Sequence, residues 1–499
     1  MFCLEESCLT QNREEMMFKK IRYDLLSSIV VFLVALPLCL GISLASNAPL
    51  SAGLFAGIIG GIVVGFCSGS HVSVSGPAAG LTVIVLNGIS ELGSFNAFTL
   101  AVLLSGIFQL FFSLLKAGQV GNYFPSSVIK GMLAAIGYIL IIKQLPIVVG
   151  LPPDWDFSHL ISLMKSGILI ISAASLAIMI FWERMAQRGI SFFKLIPGAL
   201  VAVLVSIVLE FIYKFYFPAL TIGEELLVHL PFHGGFEEIL SFIHIPDFSR
   251  IFDIKVIQVG LTIAIVGSIE TLLSLDAAEK IDPEKRLASK NRELFAQGIG
   301  NALSGLVGGL PITAVIVRTS ANLSAGSKTK LSSIFHGIWI FACIDLIPDL
   351  LNFIPLASLA CVLLLTGYKL SKPMHFIEMK KRGNDQLFIF SSTIIAILST
   401  DLLKGIIIGI VCALVLELRK MKRDPYRVTA MKEELTIEFL DYVSFIHKSE
   451  LGKLLSPGNT PKSVHLKNFS RDKCHIDVFE MILSKKEELE DQQITIRLT

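Results

Sequence analysis

Residues 71–82 read His71-Val72-Ser73-Val74-Ser75-Gly76-Pro77-Ala78-Ala79-Gly80-Leu81-Thr82, and residues 308–322 read Gly308-Gly309-Leu310-Pro311-Ile312-Thr313-Ala314-Val315-Ile316-Val317-Arg318-Thr319-Ser320-Ala321-Asn322. In the first stretch, residues 71–75 alternate polar and apolar, the period of a short extended piece. Gly76-Pro77 then opens a helix with proline in its first turn. That helix runs to about Ile89, too short for a bilayer crossing, which takes about 20 apolar residues. The second stretch repeats the plan, with Gly and Pro ahead of a short helix that runs to about Gly326. Paired Gly/Pro-interrupted short segments, one in each half of an apolar chain, point to a transport site near the bilayer midplane. With seven spans in each half, both segments stand third, and an odd count inverts the second half. The two half-helix N-termini then meet from opposite sides. Their unpaired N–H groups and positive dipole ends attract an anion.

The surrounding chain supplies those spans. Apolar runs fall near 25–45, 51–68, 97–116, 127–149, 166–183, 195–216, 256–275, 332–353 and 356–370, with two more at 385–400 and 402–417. Three weaker segments, 76–90, 293–309 and 311–325, bring the total to about 14 spans or half-spans, counted against the length a crossing needs. The fold class expected is an all-α polytopic membrane protein of 7+7 inverted repeats, with a small α/β tail. Three parts follow: a polar N-terminal segment 1–18, a membrane domain 19–423 and a polar tail 424–499.

Composition agrees. Of 499 residues, 53% are hydrophobic and 17% charged, against about 25% charged in soluble chains. The 43 Lys and Arg nearly balance the 41 Asp and Glu, a net charge of +2, so no nucleic-acid partner is expected. The eight cysteines are scattered and read as small apolar packers, with neither zinc-site spacing nor a disulfide framework. Residues 1–18 lack the basic start and apolar run of a secretory signal. Basic residues gather at even span boundaries: Lys19, Lys20 and Arg22; Arg184, Arg188 and Lys194; Lys280, Lys285, Arg286, Lys290 and Arg292; Lys328 and Lys330; Lys369, Lys372, Lys380, Lys381 and Arg382; Arg419, Lys420, Lys422 and Arg423. Odd boundaries carry acids, among them Asp154, Asp156, Glu224, Glu225, Asp345 and Asp349. The alternation places both termini in the cytoplasm, and the expected location is a bacterial inner membrane.

Two charges stand inside the spans. Arg318 falls about seven residues into the second half-helix; a charge at that depth is a functional candidate, a structural ion-pair member, or a side chain that snorkels to the cytoplasm. Glu270 follows about 14 uncharged residues of span 8. It is a candidate proton acceptor, a sodium ligand together with Ser274, or the group that neutralises Arg318. Asp276 and Glu279 lie nearer the basic loop and read as solvated.

These motifs together resemble the SulP family of inorganic anion transporters. The resemblance is carried by Asp24-Leu25-Leu26, Leu33-Val34-Ala35-Leu36-Pro37, Val74-Ser75-Gly76-Pro77, Ser268-Ile269-Glu270-Thr271-Leu272-Leu273-Ser274, Gly308-Gly309-Leu310-Pro311 with Arg318-Thr319, and Gly326-Ser327-Lys328-Thr329. It implies a core of spans 1–4 and 8–11 that moves against a gate of spans 5–7 and 12–14, and a dimer. It also implies an anion site between half-helices 3 and 10. On this chain that site falls on Ser75, Gly76, Pro77, Ala78 and Ala79, and on Val315, Ile316, Val317 and Arg318. Glu270 and Ser274 take the coupling ion, Na+ if the coupling is to sodium; no other cofactor is implied. Leu38 after the span 1 proline and Val317 before the arginine depart from hydroxyl-bearing relatives. The stretch Asp276–Arg286 resembles a bacterial subgroup associated with bicarbonate, whereas sulfate is the family default.

The resemblance further implies a C-terminal STAS domain, of which 433–499 would be a reduced form. Strands are expected at Leu435–Leu440, Tyr442–Ile446, Ser463–Leu466 and Ile494–Leu498, with helices at Lys448–Leu455 and from Ile476 to about Leu489. The expected function is secondary active transport of a small inorganic anion across the lipid bilayer. A passive, chloride-like channel or a nucleobase permease of the same architecture are the alternatives. An enzyme is not expected, since the chain carries no Walker loop, nucleophile motif or metal-spaced histidine cluster.

Overall fold

The computed structural model describes the chain except residues 1, 119–124, 152–165, 191, 194–195, 231–242, 401, 421–424, 431–433, 457–462, 492–493 and 499, together with the side chains of 2–19, 419–420, 491 and 498. Of the loop charges above, Asp154, Asp156, Lys194, Lys422 and Arg423, and the side chains of Lys19, Arg419 and Lys420, lie outside the described residues.

The spans appear as fourteen helical segments in the order expected. The first half holds α1 (Phe2–Ala45), α2 (Leu50–Ile59, continued to Cys67 by a π turn at Gly60–Val64), α3 (Thr82–Leu92, entered by a 3-10 turn at Ala79–Leu81), α4 (Phe95–Leu114), α5 (Ser126–Val148), α6 (Ser166–Gln187) and α7 (Gly198–Tyr216). The second holds α8 (Ile254–Ile281), α9 (Lys290–Leu306), α10 (Ile316–Ser324), α11 (Leu331–Leu346), α12 (Leu356–Leu370), α13 (Asn384–Ser399) and α14 (Leu402–Lys420). The 1–18 segment is not separate in backbone terms, since α1 runs through it. The span expected at 332–353 breaks at Ile347-Pro348, where a five-residue helix, Pro348–Asn352, restarts; proline cannot continue the preceding helix.

Two compact units divide the chain: Met1–Gly118 with Ile136–Leu370, and Gln119–Ala135 with Ser371–Thr499. This division differs from the expected core-and-gate grouping. In the first unit, α4 and α9 approach backbone to backbone. A Cβ on Gly106 would strike the main chain of Gly298 and Ala302, and one on Gly305 that of Thr99 and Leu103. Small residues replace the missing hydrophobic drive between apolar helices with close van der Waals contact.

The second unit contains the α/β tail. Strands β3 (Tyr426–Ala430), β4 (Glu434–Phe439), β5 (Ser463–Lys467) and β6 (Thr495–Leu498) form one sheet in sequence order. β3 is antiparallel to β4, while β4, β5 and β6 are parallel. Parallel neighbours need crossovers, supplied by α15 (Lys448–Leu454) and α16 (Ile476–Asp491). Leu435, Ile437 and Phe439 alternate onto the buried face and pack with Leu451, Leu466, Val478 and Ile482. Two strand expectations need correction. Residues 442–446 form no strand: Val443 makes only an isolated bridge to Cys474, and Phe445 begins a 3-10 turn. Strand β3, unforeseen, lies exposed along the sheet edge, where no apolar alternation marks it.

Candidate functional site

The two broken segments meet through backbone pairing. β1 (Ser75–Pro77) runs antiparallel to β2 (Ile312–Ala314), with Ser75 opposite Ala314, Gly76 opposite Thr313 and Pro77 opposite Ile312. Antiparallel strands send their following helices away in opposite directions, so the entries to α3 and α10 flank the ladder. The expectation that Gly76-Pro77 begins a helix is corrected: Pro77 is in the strand, and the helical turn starts at Ala79. A lone two-strand ladder is marginal, and side chains reinforce this one. Val315 N–H donates to Val74 O (3.0 Å), Val74 N–H to Thr319 Oγ1 (3.1 Å) and Asn322 Nδ2 to Val72 O (2.9 Å). Thr271 Oγ1 of α8 accepts from Ala314 N–H at 3.2 Å.

Arg318 is the third residue of α10 and is fully buried. The seven-residue depth inferred above is therefore corrected, and so is snorkelling to the cytoplasm. Its Nη2 donates to Cys39 Sγ (3.3 Å) and to Pro77 O (3.4 Å). Nε and Nη1 have no protein acceptor. The guanidinium lies where a Cβ on residue 76 would stand, so only glycine lets it in. Cys39, read above as a packer, is thus also a guanidinium contact on α1.

Glu270 of α8 reaches the next turn of the same segment. Gly80 N–H donates to its carboxylate, a Cβ on Gly80 would collide with both its oxygens, and Oε2 has no protein partner. The carboxylate thus sits at the N-terminus of the first half-helix, where a negative charge is favoured. Among the described residues no ion pair includes Arg318 or Glu270, so Glu270 does not neutralise Arg318. A cation and a carboxylate converge on residues 76–80 without pairing. At the start of α10 the positive charge of Arg318 opposes the helix dipole, and burying it without a partner costs several kcal/mol, about that of other desolvated charges. The arrangement can hold an anion.

A family model described as the sulfate permease family matches residues 21–393. The chain belongs to the sulfate permease family. Sulfate permease family proteins are transporters rather than enzymes, and this member is an integral membrane anion transporter. A Bacillus subtilis relative, the putative sulfate transporter YvdB, is 26% identical over 415 residues, covering 81% of this chain and 74% of the relative. The bicarbonate transporter BicA of Picosynechococcus is 27% identical over 426 residues, covering 81% of this chain and 71% of the relative. The solved transmembrane domain of a cyanobacterial BicA superposes with a TM-score of 0.68 at 24% identity, covering 78% of this chain and 98% of that one.

Within this sulfate permease family fold, the other predicted site residues divide. Ser75 turns its hydroxyl toward α9, where Gln297 Nε2 donates to it at 2.8 Å. Ala78 is buried, whereas Ala79, Val315 and Ile316 are half-buried and Val317 is 53% exposed. Ser274 is buried one turn beyond Glu270, and no described hydrogen bond joins the two. Among the described residues no group of three or more His, Cys, Asp or Glu forms a metal cluster. Asp276 and Glu279 have partners as well as solvent access: Asp276, with its side chain 39% exposed, pairs with Lys290 at 2.8 Å, and half-buried Glu279 Oε1 accepts from Ala288 N–H at 2.9 Å. The sequence reading also missed Glu293, a further buried carboxylate, in the first turn of α9. An acidic residue close after a basic loop reads as interfacial, so no sequence signal set it apart.

Proposed function

We propose that the chain is a secondary active transporter of sulfate or bicarbonate that works by alternating access and couples to H+ or Na+ through Glu270. The observation that carries the reading is Arg318, buried without a carboxylate partner at the entry of one half-helix and laid against the entry of the other. The anion would lie between Gly76–Ala79 and Val315–Arg318, contacting Nε or Nη1 of Arg318. Glu270, with one free carboxylate oxygen, would take the proton, or Na+ together with Ser274.

Charge counting orders the substrates. Two half-helix ends supply roughly +0.5 each and Arg318 one formal charge. The site then totals roughly +2 with Glu270 protonated and roughly +1 with it ionised. A divalent anion such as sulfate fits the protonated state, the logic of proton symport. A monovalent anion such as bicarbonate fits the ionised state with Na+ beside it. Sulfate is the first choice. The remaining parts of the reading are a core of α1–α4 and α8–α11 moving against a gate of α5–α7 and α12–α14, a STAS-like role for residues 424–499, a homodimer, cytoplasmic termini and a bacterial inner membrane.

The test is flux into proteoliposomes, with sulfate and bicarbonate at varied pH and sodium. Sulfate accumulation that strengthens as external pH falls supports proton-coupled sulfate transport. Sodium-dependent bicarbonate uptake, with sulfate binding indifferent to pH, would select the other substrate. Downhill flux without accumulation against a gradient would reassign the chain to passive conduction.

A further inference from the structure

α9 carries a polar stripe with no role in the reading above. Glu293, Gln297 and Asn301 recur every fourth residue, so they share one helix face, and all three are buried. The glycine contacts with α4 hold α9 in place. Asn301 grips β2 from both sides: its Nδ2 donates to Ile312 O at 2.9 Å and its Oδ1 accepts from Ile312 N–H at 2.6 Å. Ile312 stands opposite Pro77 in the ladder at a position whose backbone groups point away from β1. Asn301 therefore satisfies both backbone groups that β2 turns outward there.

Gln297 holds β1. Its Nε2 donates to Ser75 Oγ at 2.8 Å and to Glu293 Oε1 at 3.1 Å. The other Glu293 oxygen accepts from Ser68 Oγ at 2.5 Å. By accepting from the Gln297 amide, Glu293 Oε1 orients that side chain with its N–H groups toward Ser75. Successive residues of a strand face opposite ways: Ser75 is turned to α9, and Gly76 to the Arg318 guanidinium. Ser75 thus anchors β1 to α9.

We propose that Gln297 and Asn301 are positioning residues that tie β1 and β2 to one helix and so hold the two half-helix entries at the spacing an anion between them requires. Neither residue touches the anion in this account, and the account rests on the anion-site reading given above. The first-half counterpart of α9 is α2, which meets the backbone of Ser75 and Gly76 with Gly60 and brings no amide side chain there. The side-chain grip on both strands therefore comes from α9 in the second half.

The experiment compares full-length wild type with Gln297→Ala, Ser75→Ala, the double variant and Asn301→Ala, all in lipid nanodiscs. Two readouts are used: hydrogen–deuterium exchange, and the affinity for sulfate and for bicarbonate. Asn301→Ala should speed exchange in residues 310–315, where its amide protects Ile312. Gln297→Ala and Ser75→Ala should each speed exchange in residues 72–78 and weaken affinity by about three- to tenfold, the worth of one hydrogen bond. The double variant should match either single one in both readouts. Ser75→Ala removes only a hydroxyl, so it remains informative where Gln297→Ala fails to fold. Losses that add in the double variant would make Ser75 a direct ligand and overturn the proposal, as would unchanged affinity. Unchanged exchange in residues 72–78 and 310–315 overturns it for any anion. A wild type that binds neither probe would instead remove the anion assignment, and exchange would still decide whether α9 anchors the strands.

Discussion

The Glu270 carboxylate occupies the space that a side chain on residue 80 would need, and the Gly80 amide donates to it. A group on α8 of the second half thereby caps the half-helix of the first. Anything added at position 80 must displace the carboxylate that we assign to coupling. Gly80→Ala is therefore expected to lower gradient-driven accumulation by about tenfold or more, the cost of losing a hydrogen bond to a charged group. Glu270→Gln keeps the size but not the charge. It should retain anion binding or exchange and lose the response to proton or sodium gradients. Accumulation that survives in Glu270→Gln would show that coupling lies elsewhere.

Arg318→Ala should reduce uptake by at least about 100-fold, the scale for removing one member of a buried charged contact, while folded protein remains in the membrane. Arg318→Lys should fail as well, because Nη2 alone serves Cys39 Sγ and Pro77 O, and a one-nitrogen ammonium has no counterpart of the remaining Nε and Nη1 donors. Uptake measured beside size-exclusion profiles separates loss of the site from loss of the fold. Normal uptake by either variant would remove Arg318 from the site.

Gly76→Ala tests the same guanidinium from the other side. The added methyl falls on Arg318 Nη1, and the neighbouring main chain of Gly60 leaves the strand little room to shift. Anion affinity should fall by about tenfold, since charged hydrogen bonds depend steeply on geometry. Unchanged affinity in isothermal titration would mean that the guanidinium position does not matter for binding.

In the second unit, Asp477 at the start of α16 accepts hydrogen bonds from the amide (3.0 Å) and the hydroxyl of Ser126, and Arg382 Nη1 lies 3.7 Å away. Burial pushes the Asp477 carboxyl up, but the charge of His475 and the two Ser126 bonds outweigh it and hold the pKa below the usual carboxylate value. A depressed folded pKa contributes stability that is fully present above the unfolded value of about 3.9 and is lost as pH falls through the folded one. Thermal unfolding of the purified protein should thus show no Asp477 contribution to pH dependence between neutrality and about pH 5, and a loss below about pH 4. Asp477→Asn should be less stable at neutral pH and lack that part of the acid limb. An unchanged acid limb in the variant would refute the assignment.

The membrane class, the span order and the pair of broken segments were legible because each depends on local composition. A bilayer demands an apolar run of fixed length, and Gly-Pro interrupts a helix wherever it stands. The tail was legible for the same reason where strands alternate, as at Leu435, Ile437 and Phe439, and not at exposed β3 or at 442–446. Arg318 and Glu270 also stood out, since a charge in an apolar run is conspicuous without any structure.

What those charges touch was decided only by the tertiary fold. Two opposite charges inside apolar spans left open that Glu270 neutralises Arg318; the antiparallel pairing of β1 with β2 instead sets Arg318 over Gly76 and Glu270 on Gly80, as contacts between residues some 190 to 240 positions apart in the chain. The same holds for Cys39, Gln297 and Asn301. Their partners at Arg318, Ser75 and Ile312 are fixed by how α1 and α9 pack, and a side chain's residue type states what it can bond to but not what packing places within reach.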